Sequence, residues 1–136
     1  DTIREPIARH PVHRKKMAVV KSGRDAETRY RALEELNEAT HIEVELHTGR
    51  THQIRVHFQH IGCPLAGDQV YGGRTARKLV DSTGYAAPRQ MLHAQSLTFI
   101  HPQSGQTLTA EAPLPIDFLD ALSFLRIPEP PQNRPR

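Results

Sequence analysis

Tryptophan is absent from this chain, and cysteine occurs once, at Cys63. One cysteine excludes an intramolecular disulfide and fits a reducing compartment. No apolar run approaches the roughly 18 residues of a membrane-spanning helix. The first residues lack the basic-then-apolar layout of a secretory leader. These absences predict a cytoplasmic protein with no membrane partner. What is present, 136 residues with 37% apolar and 24% charged side chains, suits one globular domain rather than two.

Charge is unevenly distributed. The chain carries +3 overall, but residues 1–31 hold nine basic groups against four acids, a net +5, and the remainder carries −2. A basic segment of this kind selects for polyanions, RNA first among them, although a solvated charged face has the same composition.

Periodicity gives the elements. Residues 1–16, interrupted by Pro6 and Pro11, read as irregular, and 17–20 as a short strand. Residues 27–36 have helical propensity in Ala32, Leu33, Glu34 and Glu35. They read better as a strand paired with 41–48, where Ile42, Val44 and Leu46 alternate with His41, Glu43, Glu45 and His47. After the Gly49 break, Thr51 is an N-cap candidate. Ile54, Phe58 and Ile61 form a helical stripe, and Gly62 and Pro64 give the stop, so a helix is expected over 51–61. A short helix near 75–80, strands at 92–100 and 106–112, and an amphipathic helix at 116–126 complete the pattern. The expected fold is α+β, with a mainly antiparallel mixed sheet and flanking helices. Residues 1–126 form the predicted domain, and the last ten, with four prolines, a disordered tail.

Three chemistries compete. Nine histidines raise metal binding, and His47, His52, His57 and His60 crowd one junction. Only His57 and His60 share a helical face, and no cysteine or carboxylate completes a familiar ligand spacing, so no metal is expected. Cys63 with His60 three residues upstream is a poor nucleophile pair, because nothing resembles a nucleophile elbow. The third candidate is Gly49-Arg50-Thr51-His52-Gln53-Ile54-Arg55-Val56-His57. Its helix start gathers Arg50, His52 and Gln53 where a phosphate could be held. Arg55 lies beside the apolar stripe, where a guanidinium can grip a carboxylate with two prongs.

That run, followed by His60-Ile61-Gly62-x-Pro64-Leu65-x-Gly67-Asp68-x-Val70-Tyr71-Gly72-Gly73, resembles the signature of the RluA-type RNA pseudouridine synthases. Arg9-His10-Pro11 and Arg14-Lys15-Lys16-Met17-Ala18-Val19 resemble the family's basic lead-in, and Thr28-x-Tyr30-x-x-Leu33 its tyrosine strand. Leu92-His93-Ala94, His101-Pro102, Gly105 and Ala112-Pro113-Leu114-Pro115 resemble its C-terminal strands. The lead-in leans toward the branch that acts on large-subunit (23S-type) ribosomal RNA.

The resemblance implies an isomerase that flips a uridine out of RNA, breaks its N1 glycosidic bond, turns the base and rejoins it at C5, with no cofactor. It implies that Tyr30 stacks on the flipped base and helps handle the C5 proton. Thr28 and Ala32, its small same-face neighbours, are expected to leave room for that base. It implies that Arg55 pairs with the nucleophilic aspartate and that Leu92 lines the base pocket. Arg14, Lys15, Lys16, Arg50, His52 and Gln53 are added as RNA contacts on charge and position. The family's His-Arg-Leu-Asp-x-x-Thr-Ser-Gly motif does not occur here, and none of Asp1, Asp25, Asp68, Asp81, Asp117 or Asp120 has its context. The expectation is therefore the C-terminal half of a catalytic domain whose partner is the N-terminal half. Alone it would be inactive and poorly soluble, with Arg55 lacking its carboxylate. A catalytically inactive RNA-binding module and a histidine-dependent metal hydrolase are the alternatives.

Overall fold

The computed structural model describes residues 1–128. The element order is β1 (Thr2–Arg4), β2 (Ile7–Arg9), β3 (Met17–Val19), β4 (Glu27–Leu36), β5 (Ala39–Leu46), α1 (Gln53–His60), α2 (Gly73–Thr83), β6 (Ser96–Ile100), β7 (Thr107–Glu111) and α3 (Ile116–Leu125). Strands and helices both occur and each strand pairing is antiparallel, the α+β class expected. The strands form three small sheets, β1-β4-β5, β2-β3 and β6-β7, where a larger mixed sheet was expected. The predicted tail falls, from residue 129 on, outside the described residues.

The segment 1–16 is more ordered than its prolines suggest. β1 and β2 flank Pro6, which leaves each strand only three residues. β2 and β3 form a hairpin whose 10–16 connection is closed by the His10 amide on the Lys16 carbonyl, with the Lys16 amide on the His13 carbonyl inside it. Within that loop the His10 Nδ1 accepts the amides of Val12 and His13.

β4 and β5 are the longest pairing, from Thr28 opposite Leu46 to Leu36 opposite Ala39. The turn is only Asn37-Glu38, with Glu38 left-handed at φ 58°. Leu33 is the extra residue of a bulge between the Ala32 and Glu34 pairings. Propensity favoured helix here, but pairing with an alternating partner outweighs it.

Two apolar clusters hold these parts. One joins Leu36 at the end of β4 to Tyr85 and to Ala121, Leu122 and Leu125 of α3. An Arg126–Glu34 ion pair at 3.0 Å and the Asn37 amide on the Leu125 carbonyl fasten its rim. The other packs Ile7, Ala26, Val56 and Tyr71 together, with Met17 and Val19 against them. Fully burying a side chain such as Ile7 or Val56 contributes about 1.5–3 kcal/mol. The second cluster carries the candidate site. Among the described residues, no helix is long and apolar enough to cross a membrane.

Candidate functional site

The site is built around α1, which starts two residues later than expected. Thr51 does not cap it. The chain enters through His52 in the left-handed region, φ 55°, and no hydroxyl reaches the helix amides. The Gln53 side chain instead ties the first turn to the approaching chain, its Oε1 accepting the Arg50 amide at 2.9 Å and the Thr48 hydroxyl at 2.8 Å. Its Nε2 donates to the Glu27 carbonyl and the Thr28 hydroxyl, both at 3.0 Å. Each polar atom of this buried amide is therefore engaged inside the protein. Gln53 was expected to touch RNA; its burial and full set of partners correct that expectation.

The buried face of α1 also differs from the predicted stripe. It is Gln53, Val56, His57 and Phe58, whereas Ile61 is exposed. The helix can bury two polar residues because both are satisfied. The Glu5 carbonyl can only accept, so the His57 Nε2 donates to it at 2.8 Å. The His57 Nδ1 then accepts from the Thr28 hydroxyl, also at 2.8 Å. Gln53, Thr28, His57 and Glu5 thus form one directed chain of hydrogen bonds that locks α1 onto β4 and the β1–β2 link. Thr28 is fully buried in this chain, so the room expected beside Tyr30 is not supplied by it.

Arg55 projects from α1 onto Asp68. Its Nε donates to Oδ2 at 2.8 Å and its Nη2 to Oδ1 at 2.9 Å, a two-pronged pair. Asp68 is fully buried, and its Oδ1 also accepts the amides of Val70 and Tyr71 at 3.0 Å. Burial is the largest influence on the Asp68 carboxyl and would raise its pKa. The Arg55 fork and the Tyr71 and Val70 amides together outweigh it, so the net shift is downward and the group stays ionised. The same pair raises the Arg55 pKa further. The expectation that Arg55 lacks a carboxylate in this chain is thereby corrected. Asp68 was set aside for want of the nucleophile's motif; its place in Gly67-Asp68 after a glycine turn was the signal that could have found it.

Tyr71 completes the group. The Arg55 guanidinium carbon lies 4.9 Å from the centroid of its ring, within cation–π range. Its hydroxyl accepts the Met17 amide at 2.9 Å and lies 2.8 Å from the His52 Nδ1. Burial, then the Arg55 charge, lowers the His52 pKa, so the ring is neutral near pH 7 and its Nδ1 accepts the tyrosine proton. His52 is therefore tied to Tyr71 by one ring nitrogen while the residue as a whole is exposed. Two glycines make the 67–72 turn possible. A Cβ on Gly67, φ +76°, would sit 2.0 Å from the Arg89 carbonyl, and one on Gly72 2.2 Å from the Asp68 carbonyl.

Tyr30 is half-buried on β4 opposite Val44, its ring edge-on to Phe58 at 5.1 Å. Phe58 follows Arg55 by one turn of α1, so Tyr30 and Arg55 border the same helix without touching through any recorded bond. Leu92 is half-buried in the irregular stretch before β6, and its carbonyl accepts the Arg89 Nη1 at 3.0 Å. Arg50 is turned back onto the Asp25 carbonyl at 2.9 Å. Arg14 and Lys15 are exposed in the 10–16 loop, and the Lys16 Nζ reaches the Val70 carbonyl at 3.4 Å. The four crowded histidines do not converge. His57 and His52 are committed as described, and His47 and His60 lie nearest Glu45 and Glu5 respectively.

Residues 1–60 match the family model described as RNA pseudouridylate synthase. The chain is 52% identical over 130 residues to the ribosomal large subunit pseudouridine synthase D of Pseudomonas aeruginosa, covering 92% of this chain and 41% of that protein. It is 48% identical over 131 residues to the protein of that name in Nitrosomonas europaea, covering 96% and 38%. A solved structure, human RNA pseudouridylate synthase domain containing 1, superposes with a TM-score of 0.73 at 28% identity, covering 93% of this chain and 52% of that one. The chain spans about two-fifths of the length of the curated relatives it matches. Together with the run around Arg55 and the fold that holds it, these matches show that the chain belongs to the RNA pseudouridylate synthase family, in its RluA-type branch.

Proposed function

We propose that this chain forms the arginine-bearing part of a cytoplasmic pseudouridine synthase acting on large-subunit ribosomal RNA. The observation that carries the reading is the state of Arg55. Asp68 takes its Nε and one Nη2 hydrogen, and Tyr71 supports its face. A guanidinium has five N–H donors, so the Nη1 edge stays open to a second carboxylate. The nucleophilic aspartate, whose motif is absent from this sequence, would sit on that edge and be kept ionised by it. Asp68 then acts as the anchor that aims Arg55, not as the nucleophile, because it is fully buried and its oxygens are already occupied.

In this reading a flipped uridine enters beside α1. Tyr30 stacks on the base and helps handle the C5 proton, and Leu92 contributes apolar wall. Arg14 and Lys15 contact phosphates, with Lys16, Arg50 and His52 behind them. The carboxylate supplied from outside this sequence breaks the N1 bond, and Arg55 holds it in place while the base turns. By itself the chain is inactive and requires that other part as partner. The relatives' names, which specify the ribosomal large subunit, support the substrate class.

The test is tritium release from C5-labelled uridine in large-subunit ribosomal RNA. This chain alone is expected to release none, and the full chain as its gene encodes it to release tritium at one site or a few. Release by this chain alone would overturn the assignment of the nucleophile.

A second reading, a catalytically inactive RNA-binding module, is favoured by the absence of the nucleophile motif alone. It predicts salt-dependent RNA binding by the full chain, no tritium release, and no effect of Tyr30→Phe.

A further inference from the structure

The cations of this chain separate by what they hold. Arg4 and Arg29 sit on Glu27, Arg31 on Glu43, Arg55 on Asp68, Arg89 on Asp117 and Arg126 on Glu34. Arg9 and Arg50 are spent on backbone carbonyls. Three of the nine basic groups in residues 1–31, Arg4, Arg29 and Arg31, are thus neutralised within the β1-β4-β5 sheet. Among the described residues, no carboxylate lies within ion-pair distance of Arg14 and Lys15 in the 10–16 loop. The same holds for Lys21 and Arg24 in the turn after β3, and for Arg74, Arg77 and Lys78 on α2.

The α2 group is placed against its own helix. Positions 74, 77 and 78 stand at i, i+3 and i+4, so three like charges share one face, and Asp81, four residues after Arg77 and three after Lys78, is the one acid of α2 beside them. Arg74 lies in the first turn, where the helix dipole disfavours a cation, and that turn has no acid to offset it. α2 buries none of its residues, so packing does not account for them. Together with Asp81, which marks the far end, they line one shallow surface depression. Three exposed cations against one acid leave this face net positive, a surface that a polyanion can neutralise.

Of these three unpaired groups, the 10–16 loop and α2 are joined. Lys16, the last residue of the 10–16 loop, reaches the Val70 carbonyl at 3.4 Å, and Val70 stands three residues before α2 begins. We infer that Arg74, Arg77 and Lys78 form a second contact surface for an RNA phosphate backbone, continuous through Lys16 with the 10–16 loop. RNA would cross the molecule along this track, past the Arg55–Tyr71 group between its ends. The inference rests on the proposal that the chain works on RNA, and adds a surface which that proposal does not contain.

The experiment is fluorescence anisotropy of a labelled hairpin from large-subunit ribosomal RNA, titrated with the full gene-encoded chain across a series of KCl concentrations. Arg74→Gln/Arg77→Gln/Lys78→Gln is compared with Arg29→Gln/Arg31→Gln/Arg126→Gln, which removes equal charge from ion-paired positions. The α2 variant is expected to bind on the order of 10- to 100-fold more weakly near 0.15 M salt, with the slope of log K against log salt shallower by about three. The charge-matched variant is expected to keep a slope near that of the parent. Arg74→Lys/Arg77→Lys, which keeps the charge, is expected to keep the parent's slope also. An unchanged slope in the α2 variant, an equal fall in both glutamine variants, or a fall in the lysine variant would overturn the inference while RNA binding by the parent stands. Absence of RNA binding by the parent would overturn the functional proposal with it.

Discussion

The α1 junction and the β6–β7 hairpin follow opposite rules. At α1 four polar residues, Thr28, Gln53, His57 and Asp68, are buried, and no buried side-chain polar atom among the described residues lacks a partner. In the hairpin every strand residue is exposed, including Leu97 at 64% and Ile100 at 70%. Its five cross-strand pairings and the Thr98–Thr109 hydroxyl bond hold the two strands to each other. The junction is specified by hydrogen bonds that each need one geometry; the hairpin is specified by backbone pairing that tolerates many side chains. The difference teaches where this fold fixes position and where it keeps apolar surface open.

The largest effect is expected from Asp68→Ala. Removing Asp68 takes away the buried carboxylate that aims Arg55, only 13% exposed, and strands the Val70 and Tyr71 amides it accepts, at a cost of about 3–5 kcal/mol even where the nucleophilic carboxylate still meets the Nη1 edge. Urea denaturation of the full chain should show it as a lower midpoint. A loss under 1 kcal/mol would mean that solvent or another carboxylate replaces Asp68, and the contrast with the hairpin would collapse. Next is His57→Leu, which strands the Thr28 hydroxyl and the Glu5 carbonyl. Leaving buried groups unpaired costs about 1–3 kcal/mol, and the same denaturation series measures it.

A smaller effect is a pH dependence. The folded His52 pKa lies below its ordinary value of 6.5, chiefly through burial. The folded state therefore binds fewer protons there than the unfolded state, and stability rises with pH through this window. As pH falls from 6.5 toward the lower folded value, the unfolded form takes up protons first and stability declines. His52→Gln should flatten thermal stability between pH 5 and 7, and an unchanged profile would remove His52 from the Tyr71 group. The Asp68 contribution, from a depressed carboxyl, is present above the ordinary carboxylate range and lost only at more acid pH. Smallest of all, Leu97→Ser or Ile100→Ser should shift stability by less than about 0.5 kcal/mol, as exposed substitutions do. A loss of several kcal/mol in the full chain would show that this face is covered by a partner there.

Much of this fold was legible from period and punctuation. The alternation at Ile42, Val44 and Leu46 located β5, and Gly62, left-handed at φ 81°, ended α1 where it was expected to. The errors cluster at α1 for one physical reason. A pattern of apolar and polar letters counts Gln53 and His57 as solvent-facing, whereas hydrogen bonds that they share with Thr28 and, for His57, the Glu5 carbonyl make them interior. Arg55 was legible as a carboxylate holder, but not its partner, because Asp68 is thirteen residues away and meets it only through the Gly67 and Gly72 turn. The basic face of α2 was missed because charge was summed along the chain, and the ion pairs that silence Arg29 and Arg31 are tertiary.

The most direct test of the central claim is tritium release by the full gene-encoded chain carrying Arg55→Ala, with RNA binding measured on the same preparation. If Arg55 holds the nucleophilic carboxylate, release falls by at least a hundredfold, roughly 2.7 kcal/mol of transition-state stabilisation, while the RNA dissociation constant changes little. Release within a few-fold of the parent would show that Arg55 and Asp68 form a structural pair and that the chemistry lies elsewhere.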